Sequence, residues 1–97
     1  MNKYTELSDF EINKNVFIKL YGEASLKDKD MFNSFYRADY CHNPEDAMPI
    51  IIENKIAMNP KDDIWQCGSG WNVAENKNPL RACMEAFLMM KEAEDNK

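Results

Sequence analysis

Apolar positions in the N-terminal part of the chain recur with a helical period. Phe10, Phe17 and Leu20 fall on one face, with Ile12 and Val16 on a neighbouring stripe. Ser8 stands where an N-cap is needed and Glu11 follows three residues later, the spacing of a capping box. Leu7 and Ile12 have the spacing of a hydrophobic staple, and Gly22 suits a helix end. The pattern predicts a helix over Asp9–Tyr21. Residues 23–30 are charged and turn-like and predict a loop. From Met31 to Cys41 two periods compete. Phe32, Tyr36 and Tyr40 repeat at helical spacing, whereas Tyr36, Ala38 and Tyr40 alternate with Arg37 and Asp39. Aromatic content and alternation favour a short strand near Phe35–Tyr40.

His42–Met58 carries the densest apolar run, and the rest of the chain is expected to pack against it. Asn43 is a good N-cap, and Pro44 suits the first helical position, where no N–H is required. Ala47, Met48, Ile50, Ile51 and Ile52 cover more than half of a helical circumference, which predicts a nearly buried helix. Pro49 leaves two readings open. Either the helix kinks there, the favoured reading, or one turn ends at Met48 and Ile50–Ile52 is a strand.

Two hairpins follow. Lys55–Met58, Asp63–Cys67 and Trp71–Glu75 read as strands, joined by a turn at Asn59-Pro60-Lys61-Asp62 and a loop at Gly68-Ser69-Gly70. That register sets Cys67 opposite Trp71 and Trp65 opposite Val73 on a packed face. Ile64, Gln66, Asn72 and Ala74 fall on the wetter side. A last helix opens at Asn78-Pro79, repeating the cap chemistry of Asn43-Pro44. Leu80, Cys83, Met84, Phe87 and Met90 form its apolar face, Arg81 and Glu85 can pair on the other side, and Glu92–Lys97 reads as a frayed end. The expected fold is α+β: one domain over residues 1–97 with a three-stranded antiparallel sheet (four-stranded if residues 35–40 join), packed by an N-terminal, a central and a C-terminal helix.

Composition narrows the partners. Seventeen acidic residues against 12 basic give a net charge of −5, and Arg37 and Arg81 are the only arginines. Phosphate backbones repel such a chain, so direct nucleic-acid binding is disfavoured and a partner with a basic surface is favoured. No apolar run approaches the ~20 residues that span a bilayer. The opening MNKYTELSDF has no signal-peptide character. Three cysteines without CxxC spacing read as reduced thiols in a cytoplasm.

The blocks TELSDFEIN, CHNPEDAMPIIIEN and NPLRACMEAFLMMKEAE, which cover 40 of the 97 residues, resemble the NinX-like family of small phage and prophage proteins. Residues 23–37 match no block and read as a variable insert. Where the family often carries tryptophan before the central proline, this chain has Met48. The resemblance implies a phage or prophage origin, expression in a bacterial cytoplasm, and an accessory gene near early-expressed or recombination functions. It supplies no activity and no catalytic residues. The helix–strands–helix order is also similar to small phage αβα sandwiches and to double-stranded-RNA-binding domains. The latter need a basic helix start, and Leu80-Arg81-Ala82 offers one cation.

Candidate chemistry is thin. Cys41, His42, Cys67 and Cys83 lack the paired spacing of a zinc site, and packing explains the cysteines better. Neighbours such as Cys41 and His42 seldom point at each other as nucleophile and base. Glu45 and Asp46 at a helix cap, and Asp62 and Asp63 in a turn, have structural explanations before catalytic or Mg²⁺-binding ones. Gly68-Ser69-Gly70 precedes a strand, whereas phosphate loops open a helix. Trp65 and Trp71 read as core. Of seven methionines, Met84, Met89 and Met90 crowd the last helix. They read first as gap-filling core, with Met89 turned away from the main face as a contact candidate. Neither a catalytic residue nor a cofactor or metal is expected. The expectation is a non-enzymatic phage accessory protein that binds a host protein, one with a basic nucleic-acid groove, and modulates or inhibits it. Anti-defence action such as CRISPR inhibition is the sharpest form. Asp39, Glu45, Asp46, Asp62, Asp63 and Met89 are the candidate contacts. Two alternatives stay open: a small-ligand or nucleotide-handling enzyme with a pocket near Tyr40, Cys41 and His42, and a structural homodimer formed through the last helix.

Overall fold

In a computed structural model, which describes residues 2–95, the chain forms four α-helices and a three-stranded antiparallel sheet. Helix α1 spans Asp9–Tyr21. Its capping box is complete: the Ser8 hydroxyl accepts the Glu11 N–H at 3.1 Å, and the Glu11 carboxylate accepts the Ser8 N–H at 3.1 Å.

The expected loop at residues 23–30 and the first half of the expected strand at 35–40 are instead helical. A 3₁₀ turn at Glu23–Lys27 leads into α2, Lys29–Arg37. The Asp28 carboxylate caps α2, accepting the N–H groups of Asp30 and Met31 at 3.0 and 3.1 Å. No strand lies at Phe35–Tyr40, and the sheet order is β1-β2-β3. The helical spacing of Phe32 and Tyr36 prevails because a capped start fixes it locally, and it seats Phe35 against Phe17, with ring centroids 5.6 Å apart.

Helix α3 spans Pro44–Glu53, capped by the Asn43 side chain. It runs through Pro49, so Ile50–Ile52 is not a strand. The hydrogen bond that Pro49 forfeits belongs to the carbonyl of Glu45, in the exposed first turn, where water can replace it. Ala47, Ile50 and Ile51 are buried but Ile52 faces solvent, so the helix buries less than its apolar width predicts.

Strands β1 (Ala57–Lys61), β2 (Ile64–Ser69) and β3 (Asn72–Asn76) lie downstream of the predicted ones. The first loop is Asp62-Asp63, with Asp62 in a left-handed conformation at φ 56°. Asn59-Pro60-Lys61 belongs to β1, an edge strand, where a proline is tolerated. The second loop is Gly70-Trp71, with Gly70 at φ 60°. Cys67 therefore faces Ala74 rather than Trp71, and Trp65 faces Asn76 rather than Val73. A shift of an odd number of residues turns a strand over. Ala74 moves to the buried face, Val73 to the open one, and Trp71 stands wholly in solvent at 100% exposure.

Helix α4, Pro79–Asp95, is the spine. Strands β2 and β3 pack on one side of it, and α1 and α3 on the other, while α2 rests on α1. The expected organisation around residues 42–58 is thus replaced by one around α4, and only the C-terminal helix lies squarely on the sheet. With neighbours on two sides, Arg81 through Leu88 are all buried. Regular helix continues through Glu92–Asp95, and Asn96 and Lys97 lie outside the described residues. Among the described residues no helix is long and apolar enough to cross a membrane.

Candidate functional site

The burial of α4 places Arg81 and Glu85 inside the protein. The pair forms at the predicted spacing, but these two turns have no outer side. Arg81 is 6% exposed and Glu85 1%. Arg81 Nε donates to Glu85 Oε2 at 2.6 Å, and Arg81 Nη1 donates to Asp9 Oδ1 at 2.6 Å. Arg81 Nη2 donates to the carbonyls of Tyr4 and Leu7 at 3.0 and 2.7 Å. One planar cation thereby holds the N-terminal arm, the start of α1 and α4 together, and four of its five N–H donors are spent inside the fold.

Asp9 carries the network outward. Its Oδ2 lies 3.0 Å from His42 Nε2, and His42 Nδ1 lies 3.0 Å from Asp39 Oδ1. An ionised carboxylate only accepts, so both contacts become hydrogen bonds when both ring nitrogens carry protons. Asp39 Oδ1 also accepts from Asn13 Nδ2 at 3.1 Å, and Asn13 Oδ1 accepts the Cys41 N–H at 3.2 Å. Partial burial works to raise the Asp39 pKa, but hydrogen bonds from Asn13 and His42, and the charge of His42, together hold it below its ordinary value. A carboxyl depressed in the folded state stabilises the fold above its unfolded pKa and loses that contribution as pH falls. Acid unfolding should therefore draw on Asp39 below about pH 4. In urea titrations at pH 5 and pH 3, Asp39→Asn is expected to lose less stability between the two than the parent chain. An equal loss would remove Asp39 from the acid response.

The predicted residues divide by element. Asp39, Glu45 and Asp46 gather where α3 begins, and Asp46 Oδ2 accepts the Asp39 N–H at 3.0 Å. Asp62 and Asp63 form the β1–β2 loop, on a hairpin that packs on α4 and not on α3. Met89 is half-buried and packs against the core beside Phe87 and Leu88, which are enclosed. Cys41, Cys67 and Cys83 are free and buried. Burial and the nearby Asp9 carboxylate push the Cys41 thiol up to about 12, and its Sγ lies 3.8 Å from the Asp9 carbonyl. Trp65 keeps its predicted place against the core; Trp71 does not.

The sequence pattern does not single out Asp9, Asn13 or an enclosed Arg81. The available signal was an arginine inside a helix apolar nearly all round, where a charge persists only if paired. Also unforeseen is an aromatic surface on α1 and α2. Phe10 is 56% exposed and Tyr36 70%, and Phe32 is exposed as well. Phe35 is the shared neighbour: its ring centroid lies 5.5 Å from Phe10, 6.0 Å from Phe32 and 6.5 Å from Tyr36. Such a run of exposed rings is characteristic of protein-binding surfaces.

The family model described as Bacteriophage P22, NinX matches residues 3–91, a span that runs through the segment 23–37. No curated protein and no solved structure matches the chain.

Proposed function

We propose that this chain, which belongs to the bacteriophage P22 NinX family, is a phage accessory protein that binds a host protein and modulates or inhibits it without catalysis. The exposed aromatic surface of Phe10, Phe32 and Tyr36 carries the reading. Interface cores are enriched in aromatic side chains, and a solvated surface gains nothing from three of them. The acidic side chains that begin α3, on a chain of net charge −5, favour a partner with a basic surface. A basic nucleic-acid groove is such a surface, and occupying one would block DNA or RNA from it. Anti-defence action, CRISPR inhibition included, is the sharpest form of the proposal.

The chemistry around His42 supports a role without catalysis. Both ring nitrogens face carboxylates, and the adjacent Cys41 is an enclosed thiol whose raised pKa keeps it protonated and a poor nucleophile.

Affinity capture from the bacterial host tests the proposal. The tagged chain is expected to retain one host protein in stoichiometric amount, and the Phe10→Ser, Tyr36→Ser double variant to lose it while keeping its circular-dichroism spectrum. Capture of nothing but the chain itself would overturn the proposal in favour of a homodimer. Undiminished capture by the variant would remove the aromatic surface from it.

A further inference from the structure

A groove of about 390 Å³ opens between the end of α1, the end of α2 and the flank of α3. Phe17 and Ile50 make its floor, Tyr21 stands at its lip, and Glu45, Asp46 and Glu53 edge it. The α3 wall follows helical spacing: Glu45, Pro49 and Glu53 form one row and Asp46, Ile50 and Glu53 another, so the apolar middle has carboxylates at both ends. Among the described residues no lysine or arginine pairs with any of these three acids.

Tyr40 is the independent observation. It is 6% exposed and lines the groove. Its hydroxyl has no hydrogen-bond partner among the described residues. Every fully enclosed side-chain polar atom among them does have one. The hydroxyl therefore reaches solvent, and Tyr40 is among the residues that line the groove. A nearly buried phenol that finds no partner within the fold and opens to solvent is free to bond a group that enters beside it. With three carboxylates around it and the faces of Tyr21 and Phe17 beside it, what fits is a cation bearing N–H donors.

We infer that the groove receives an arginine side chain, presented next to an apolar one on a segment of the partner protein. The apolar neighbour fills the space over Phe17 and Ile50. The guanidinium lies against Tyr21, donates to the Tyr40 hydroxyl and takes its countercharge from Glu45, Asp46 and Glu53. Arginine suits this better than lysine because its planar fork stacks on a ring and donates in several directions at once. The inference rests on the protein-binding role proposed above and names the partner chemistry for one part of that surface.

The test titrates the ¹⁵N-labelled chain with two synthetic amphipathic peptides that carry the same leucines and differ only in arginine against glutamine. The arginine peptide is expected to move the amide signals of Leu20, Tyr21, Ser34 and Glu53. The glutamine peptide should bind about tenfold more weakly, consistent with the loss of one charge-assisted hydrogen bond. Glu45→Gln with Glu53→Gln, both exposed positions, should weaken the arginine peptide by a similar factor. Tyr40→Phe should weaken it by about fivefold, the size of one ordinary hydrogen bond. Equal affinity for the two peptides, signals that move only elsewhere, or spermidine competing as well as the arginine peptide would each overturn the inference. Host capture separates it from the broader proposal. A host protein held equally by the parent chain and by the Glu45→Gln, Glu53→Gln chain leaves the host-binding role standing and removes the groove from it. Peptide binding at the groove without any captured host protein does the reverse.

Discussion

Replacing Arg81 with methionine is expected to cost about 3–5 kcal/mol of folding stability, the range for breaking a buried ion pair from one side. Domains of this kind hold about 5–15 kcal/mol in total, so the variant should be close to unfolded under mild urea. The cost comes from what the side chain leaves behind. Glu85, at 1% exposure, loses its only cation and keeps one hydrogen bond, from Asn2 Nδ2 at 3.1 Å. The Leu7 carbonyl loses its side-chain donor and the Tyr4 carbonyl keeps only the Leu7 N–H, so the hydrogen bonds that still hold the N-terminal arm to α4 are those to Glu85 and Glu92. Arg81→Lys should recover little, because one ammonium cannot serve acceptors on three separate segments. Pairing Arg81→Met with Glu85→Leu should restore most of the loss, since removing both charges leaves neither one buried alone. Urea unfolding followed by circular dichroism measures all three variants. A single variant that lost less than about 1 kcal/mol would show that the network contributes no more than an exposed ion pair.

Gly68→Ala should be the next most damaging change, at about 1–3 kcal/mol, the cost of forcing atoms into a packed site. Gly68 pairs with Ala57 on one side and Val73 on the other. A Cβ built on it would lie 2.1 Å from the Asn72 carbonyl oxygen and 2.8 Å from the Val73 Cα. Both are backbone atoms of β3, so a side-chain rotation cannot make room and the strand itself must move. Gly70 is the control. Its φ of 60° is one that asparagine adopts, and nothing lies within 4 Å of its added Cβ. Gly70→Asn is therefore expected to unfold near the parent midpoint. If the two variants unfolded alike, the close approach of β3 would not be limiting.

The two glycines also show where the sequence could be read and where it could not. Gly70 was identifiable as the left-handed residue of a hairpin, because turn conformation is a local property. The loop around it was not, because Trp71 looks like a core residue and drew the third strand one position too early. Caps were the most legible feature. Ser8 with Glu11, Asn43 with Pro44 and Asn78 with Pro79 each satisfy neighbouring backbone groups and need nothing from elsewhere in the fold. Helix α2 escaped because its turn-like start at Asp28 resembles a loop and its aromatic residues also alternate. Residues 35–40 would make a strand only if a partner strand lay beside them, and none does. Of the polar network, the Arg81–Glu85 spacing was visible but its enclosure was not, since enclosure depends on layers brought from distant parts of the chain. Tyr40 could be placed near His42 by sequence alone. That its hydroxyl goes unpartnered is a property of packing.

The position of α4 bears on the order in which the protein is made. Translation produces α1 before the hairpins, and the helix that both layers rest on comes after them. Until α4 leaves the ribosome, Cys67 and Ala74 on the sheet have no helix to cover them. The buried residues form one cluster that includes Met84, Phe87 and Leu88 of α4, so a growing chain cannot complete its core ahead of that helix. Its apolar groups remain open to other nascent chains until α4 is made, and final assembly waits on that helix.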